Sequence, residues 1–453
     1  MRRFIVGFSF VFCLFGFISC SNLNRQADAL RLKDNFDDAF ALYSQSAEEG
    51  SAYAKWRMAD AYFTGNGAEY DITKGKELLE AAASEGCEQA IAYLACCHLY
   101  GWDNYQRDSA RGRKMLDDVA LNSDSPYVMT LYATMLYDED EKKAVEILRS
   151  LDGCNEPLYW YAMGSLYSDG SDHIECDTDK ALECYKRAYE LGSISAAGEL
   201  GQIFLNNTDT TEAIRWYEKG VKRHNVACMN VLATFYIDKN FKQFNISKGL
   251  RLLEKAGTLG SGDSYGMLGD IYYKGDIVNK DDELAFDYYK KASELHDLRS
   301  AYNVGSFYVN GIGCKKDIEK GIAIWKEAAS FGYSSAACNL YCYYQGSPEY
   351  GGSKATVNDE LAKKYLLQSA NAGEVHACMN IGKHYAKGTN LFEQDIWQAF
   401  FYFKKAADAG YIDACTLVSY MYENGLGCDK NPKEAKRYKD MTKAEPDKEN
   451  KDD

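Results

Sequence analysis

The sequence is poor in the short motifs that carry chemistry. It has no G-K-[ST], which would bring a lysine and a hydroxyl to nucleotide phosphates, and no H-E-x-x-H, which would set two histidines around zinc. Neither S-x-x-K nor, beyond residue 20, C-x-x-C occurs. Histidine is scarce, with six in 453 residues. Only His376 and His384 share a helical face, and two turns hold them about 12 Å apart, too far for one metal ion with ligand bonds near 2 Å. The sequence therefore implies no metal site and no cofactor. Basic runs are lacking as well. Against 67 acidic residues stand 52 basic ones, a net charge of −15, and that balance repels polyanions, so nucleic acid is not an expected partner. The apolar run from Phe4 to Ile18 falls short of the roughly 20 residues that a spanning helix needs.

That run does fit a secretory signal peptide over residues 1–19: Arg2 and Arg3 precede it, and Ser19-Cys20 ends it. Phe17-Ile18-Ser19-Cys20 resembles the bacterial lipobox, which implies lipidation at Cys20. The alternative is an ordinary signal peptide with an incidental cysteine. Ser21 follows the cysteine where Asp would resemble an inner-membrane retention signal. Ser21-Asn22-Leu23-Asn24 also lacks an acidic export cluster. The expectation is a protein touching the membrane only through its N-terminal lipid, on the outer membrane and facing the periplasm. Residues 20–35 would hold the anchor and a first helix, 36–441 a repeat array, and 442–453 a charged, disordered tail.

What remains exceeds one ordinary core of about 250–300 residues, and internal repeats explain how. Glycines after Ala-rich stretches set a period near 36: Gly50 and Gly86, then Gly332, Gly373 and Gly410. Between Gly260 and Gly332, His296 stands where another glycine is expected. Each unit reads as two helices. The first carries an aliphatic residue, a Gly and then an aromatic, as in Val304-Gly305 with Tyr308 and Ile381-Gly382 with Tyr385. Glycine costs about 1 kcal/mol inside a helix, so its recurrence implies close approach of a neighbouring helix. Turns such as Gly65-Asn66-Gly67, Gly311-Ile312-Gly313 and Gly425-Leu426-Gly427 follow, and then a capping Asp71, Asp317 or Asn431. The second helix repeats Ala and a central aromatic such as Trp216, Tyr289, Trp325 or Phe403. Beyond Cys13 and Cys20, thirteen cysteines remain, an odd number without a pairing scheme. They read as small packing residues or as disulfide partners, with packing favoured.

These units resemble the Sel-one-like repeat, a relative of the tetratricopeptide repeat with a slightly longer period. The segment from Ser300 to Gly332 matches its pattern nearly throughout. The match weakens between Leu121 and Asn155 and around Asn206 to Thr211, where the G-x-G turn is missing. The resemblance implies an all-α, right-handed superhelical solenoid of about 12 helix-turn-helix repeats, with a continuous core shared between stacked pairs. It also implies a non-catalytic scaffold for a protein or peptide, as an elongated monomer. A compact chain of this size would have a radius of gyration of roughly 22 Å, whereas a stack of pairs 8–10 Å apart has a contour of about 100 Å. Some cysteine-rich proteins of this repeat family are linked to β-lactams, but their regular Cys pairs are missing here.

A weak hydrolase or cell-wall-modifying enzyme is the competing expectation. Gly262-Asp263-Ser264-Tyr265-Gly266 fits G-x-S-x-G, but a nucleophile elbow needs a preceding strand, and none is predicted. A passive spacer with no specific ligand is a third. For the scaffold, Asn303, Asn339 and Asn380 each precede the aliphatic core residue of a first helix. His376, Asn380, Lys383, His384 and Lys387 fall within roughly 100° of arc. In related arrays this helix lines the concave surface. A locally basic stripe on an acidic chain suggests an anionic peptide end, with Arg299 and Asn303 extending the groove.

Overall fold

The computed structural model describes residues 21–442, so the signal segment, Cys20 and the tail beyond residue 442 lie outside the described residues. Among those described there are 24 helices and no strand, arranged as successive helix-turn-helix pairs. The local chemistry follows the repeat. Second helices begin on an Asp or Asn whose side chain accepts a backbone N–H two or three residues on, as at Asp71, Asp177, Asp317 and Asn431. Each such cap stabilises its helix by about 1 kcal/mol. At the end of the second helix the chain turns through a left-handed residue: Gly332 has φ +92° and Gly410 φ +87°. His296, at the position where the period calls for glycine, takes φ +64°.

Two further glycine roles explain the motif. The aromatic ring of the second helix lies flat on the mid-helix glycine of the first. A Cβ on Gly269 would stand 2.6 Å from the Tyr289 ring, and one on Gly382 would stand 2.5 Å from Phe403. The second glycine of each G-x-G turn sits on the first turn of the preceding second helix, where a Cβ on Gly67 would meet the Phe36 carbonyl oxygen at 2.4 Å. The motif is therefore a packing signature as much as a turn signature.

The chain forms two compact units, one running to Ser261 and one from Gly262. In the first, residues 21–31 are helical and bury Ala27 against Ala39, Tyr43 and Ala54, so this helix begins the stack. Residues 121–155, where the pattern fades, still hold a pair, Pro126–Leu136 and Glu141–Ser150. At 206–211 a tight turn through Thr208, φ +64°, replaces G-x-G. This unit also closes on itself. The Arg223 side chain, 5% exposed, donates from Nε to Asp34 Oδ1 at 2.6 Å and from Nη1 to the Tyr189 carbonyl at 2.7 Å. The Arg223 carbonyl accepts Asn66 Nδ2 at 3.1 Å, and His224 Nδ1 lies 2.8 Å from the Gly65 carbonyl. The start of the array thus rests against residues more than 150 positions later.

In the second unit a core runs from Val309 to Tyr438, with Trp325, Leu340, Leu366 and Ile381 at 0–1% exposure. The longer repeat carries its extra length in two short 3-10 turns, Pro348–Tyr350 and Lys354–Thr356. All thirteen described cysteines are free thiols and most are buried. Cys415 Sγ, for example, donates to the Ala407 carbonyl. The eight buried ones serve as packing residues, whereas Cys176 is exposed.

Candidate functional site

The basic stripe expected on helix Val375–Lys387 is present in part. Ala377, Cys378 and Ile381 form its buried side, while His376, Lys383 and Lys387 are exposed and Asn380 is half-buried. The His376 ring meets Tyr411 edge-on at 5.1 Å. His384 is committed inward, with Nε2 2.9 Å from the Tyr341 hydroxyl and Nδ1 3.0 Å from Thr389 Oγ1. Its burial lowers its basicity. Lys383 and Lys387 form no ion pair among the described residues, whereas nearby Lys404 bonds Asp408 and Lys405 caps the Ala370 carbonyl. The extension of the stripe is less open than its spacing suggests. Arg299 Nη1 holds Asp270 Oδ2 at 2.7 Å, and Asp270 also accepts the Tyr289 hydroxyl. Asn339 is only 8% exposed; Asn303 is half-buried. Ser264 lies inside helix Gly262–Lys274 at 0% exposure, without the strand and sharp turn of an elbow.

The first unit holds a site that sequence reasoning missed. Its closed turn encloses a chamber of about 190 Å³, open to solvent on one side, lined by the first helices of successive pairs. Helix Ala52–Thr64 contributes Trp56, Arg57 and Asp60. Tyr93, Tyr127 and Glu156 come from the next repeats, and Arg31 comes from the opening helix. Arg57 is anchored. Its guanidinium lies 4.3 Å from the Trp56 ring centre and 3.6 Å from Asp28, and its Nε donates to the Tyr53 hydroxyl at 2.9 Å. Tyr43 and Tyr53 donate in turn to Asp28. Burial and the Asp28 charge push both phenols above their ordinary range.

Other polar groups of the chamber are not satisfied. Arg31 Nε is buried with no hydrogen-bond partner, and so is Asn66 Oδ1 in the adjoining recess. Glu156 accepts the Leu158 N–H at 3.1 Å, capping helix Pro157–Asp169. Burial pushes its carboxyl up, against the opposing pull of the Leu158 N–H, Arg57 and Arg31. No cation lies within 4.0 Å of Glu156 or Asp60 among the described residues. No cluster of His, Cys, Asp and Glu suited to a metal ion occurs among the described residues either. The chamber sets fixed charges of both signs among aromatic rings.

Comparison with known proteins places this architecture. The Sel1 repeat matches residues 31–51, 52–87, 88–117, 160–193, 199–225, 239–261, 263–297, 298–333, 335–374, 375–411 and 412–438. Chitin synthase regulatory factor 4 of Schizosaccharomyces pombe is 23% identical over 66% of this chain and 44% of its own length. An uncharacterized protein of Neisseria meningitidis is 25% identical over 76% of this chain and 70% of its own. The chain thus spans less than half of the yeast relative. A Sel1 repeat protein from Oxalobacter formigenes, solved by crystallography, shares the fold with a TM-score of 0.51 and 21% identity, covering 72% of this chain and 92% of that one. Proteins built this way are in general protein-binding scaffolds and not enzymes. With the repeat matched over well more than half of its length and every matched stretch folded as helices, the chain belongs to the Sel1 repeat family.

Proposed function

We propose that this chain is a non-catalytic, monomeric scaffold of the bacterial envelope, anchored through Cys20 and holding an anionic peptide end of a protein partner on its first-helix face. The observation that carries the reading is the stripe on helix Val375–Lys387. Lys383 and Lys387 stand exposed and free of ion pairs beside Asn380, while the lysines of the neighbouring helix are engaged internally. Two unpaired ammoniums one turn apart, with an amide one turn before the first, match a carboxylate and an adjacent peptide group. His376 borders the stripe, and Asn303 offers a second amide on another first helix of the same unit. Arg299 and Asn339 act in this reading as supports, since Arg299 is already held by Asp270 and Asn339 is buried.

The test has two arms. Capture of partners from envelope extracts by tagged wild type, compared with Asn380→Ala/Lys383→Ala, should lose the specific partner while helicity and melting stay unchanged; undiminished capture refutes the stripe. Metabolic labelling with a palmitate analogue should mark wild type and not Cys20→Ala, and equal labelling refutes the anchor.

A further inference from the structure

We propose that the chamber of the first unit binds a single α-amino acid zwitterion bearing a ring or other large apolar side chain. This is a small-ligand site independent of the peptide stripe. Size sets the first limit. A space of about 190 Å³ is on the scale of an engineered cavity of about 150 Å³ that takes benzene. One amino acid fits this scale, and a folded peptide segment does not. The walls set the second limit. Trp56, Phe63, Tyr93 and Tyr127 present rings and Leu79 adds an aliphatic surface, so the ligand's side chain must be apolar and preferably flat.

The charges set the third. Arg31 carries a buried N–H with no partner, a state that costs free energy unless something supplies an acceptor. Glu156 is close enough for Arg31 and Arg57 to hold its carboxyl down electrostatically, yet no cation reaches within ion-pair distance. The gap between these opposite charges is what a ligand with a carboxylate and an ammonium on one carbon would bridge. Its carboxylate meets Arg31, and its ammonium meets Glu156 with Asp60 alongside. Arg57 is already held by Asp28, Tyr53 and Trp56, so it contributes field and not a free donor. A simple anion would face Glu156 and Asp60, and a simple cation would face two guanidiniums. A chain terminus carries only one of the two charges.

Isothermal titration of the chain from residue 21 onward decides the matter with three probes: L-phenylalanine, its amide (ammonium only) and 3-phenylpropionate (carboxylate only). The expected result is saturable one-to-one binding of L-phenylalanine, with each single-charge probe weaker by about tenfold or more. Glu156→Gln should abolish the preference for L-phenylalanine over 3-phenylpropionate, and Arg31→Gln the preference over the amide. If Arg31→Gln fails to fold, Glu156→Gln alone decides, because a neutral amide there keeps the helix cap. Absence of saturable binding of L-phenylalanine, L-tyrosine and L-leucine at millimolar concentration would overturn the proposal. So would equal affinity for all three probes, or a Glu156→Gln chain whose preference is unchanged.

Discussion

Replacing Gly305 by alanine tests the packing logic of the repeat, because two known effects of opposite sign compete there. Intrinsic helix preference favours alanine by about 1 kcal/mol. The new Cβ, however, would lie 2.5 Å from Trp325 Cδ1 and 2.6 Å from Nε1, with the Gly321 carbonyl oxygen at 3.1 Å. Ordinary contact begins near 3.4 Å, so the indole must move by roughly an ångström. Trp325 is 1% exposed and donates from Nε1 to the Tyr302 carbonyl at 3.0 Å. Displacing it costs about 1–3 kcal/mol of overpacking and puts at risk a hydrogen bond worth about 1 kcal/mol. The net expectation is a loss of about 1–3 kcal/mol, the overpacking and hydrogen-bond costs less the propensity gain. Gly198 supplies the internal control, because a Cβ there meets only Cys228 Sγ at 3.6 Å. Alanine at 198 should gain up to about 1 kcal/mol. Trp325→Ala alone should cost about 3–5 kcal/mol, and combined with Gly305→Ala it should cost at least about 1 kcal/mol less than the sum, since the clash is gone. Urea unfolding followed by far-ultraviolet circular dichroism reads all four variants. Additivity of the pair, or a stabilising Gly305→Ala, would refute the reasoning.

Other consequences follow from single residues. Arg223→Ala removes the tie between the start and the far end of the first unit and should cost about 1–3 kcal/mol. Hydrogen exchange should then quicken around residues 62–66 and 223–225, and unchanged protection there counts against the tie. His296→Gly relieves a left-handed residue that costs about 1–2 kcal/mol, so the melting temperature should rise and not fall; His296 is exposed and loses no packing. Asp317→Ala should lower stability by about 1 kcal/mol through the lost cap on the Lys320 N–H. Glu156 has its folded carboxyl raised by burial, so its favourable contribution is complete below the unfolded value and disappears as pH rises through the folded one. Glu156→Gln should therefore stabilise the unit at pH 7, with the gain shrinking to nothing in acid, and a pH-independent difference would contradict that sign.

The helix pairs were legible because each depends on residues within one period. Asp317 caps, Gly311 turns and Gly305 receives Trp325 within some twenty positions of one another. His296 shows how far this local logic reaches: the period required a left-handed residue there, and the backbone takes it without glycine. The weak segment 121–155 folds as a pair because burial of Leu131, Leu136, Val145 and Leu148 does not need the turn motif, and at 206–211 Thr208 makes the turn without glycine. The stripe was half legible. Angular position on helix Val375–Lys387 predicted which side chains face outward, but it could not say that Asp270, one repeat back, would claim Arg299 or that Asn339 would be buried.

The chamber lies beyond any such reading, for a reason that belongs to solenoids in general. Each repeat contributes a small rotation, and only the accumulated sum decides which distant repeats meet. Arg223 and Asp34 stand 189 positions apart, and Asn66 bonds the Arg223 carbonyl across 157. No spacing within one repeat encodes either meeting. What the sequence did contain was an anomaly at the level of single residues. Arg31, Arg57, Asp60 and Glu156 are charged, yet they occupy the walls of the chamber among aromatic rings. A solenoid kept only for its core would exchange Arg31 and Glu156 for neutral residues and become more stable. A buried Arg31 N–H without a partner beside a carboxylate that no cation pairs is the kind of local cost that proteins bear at functional sites. That is why the chamber is where a small ligand should be sought.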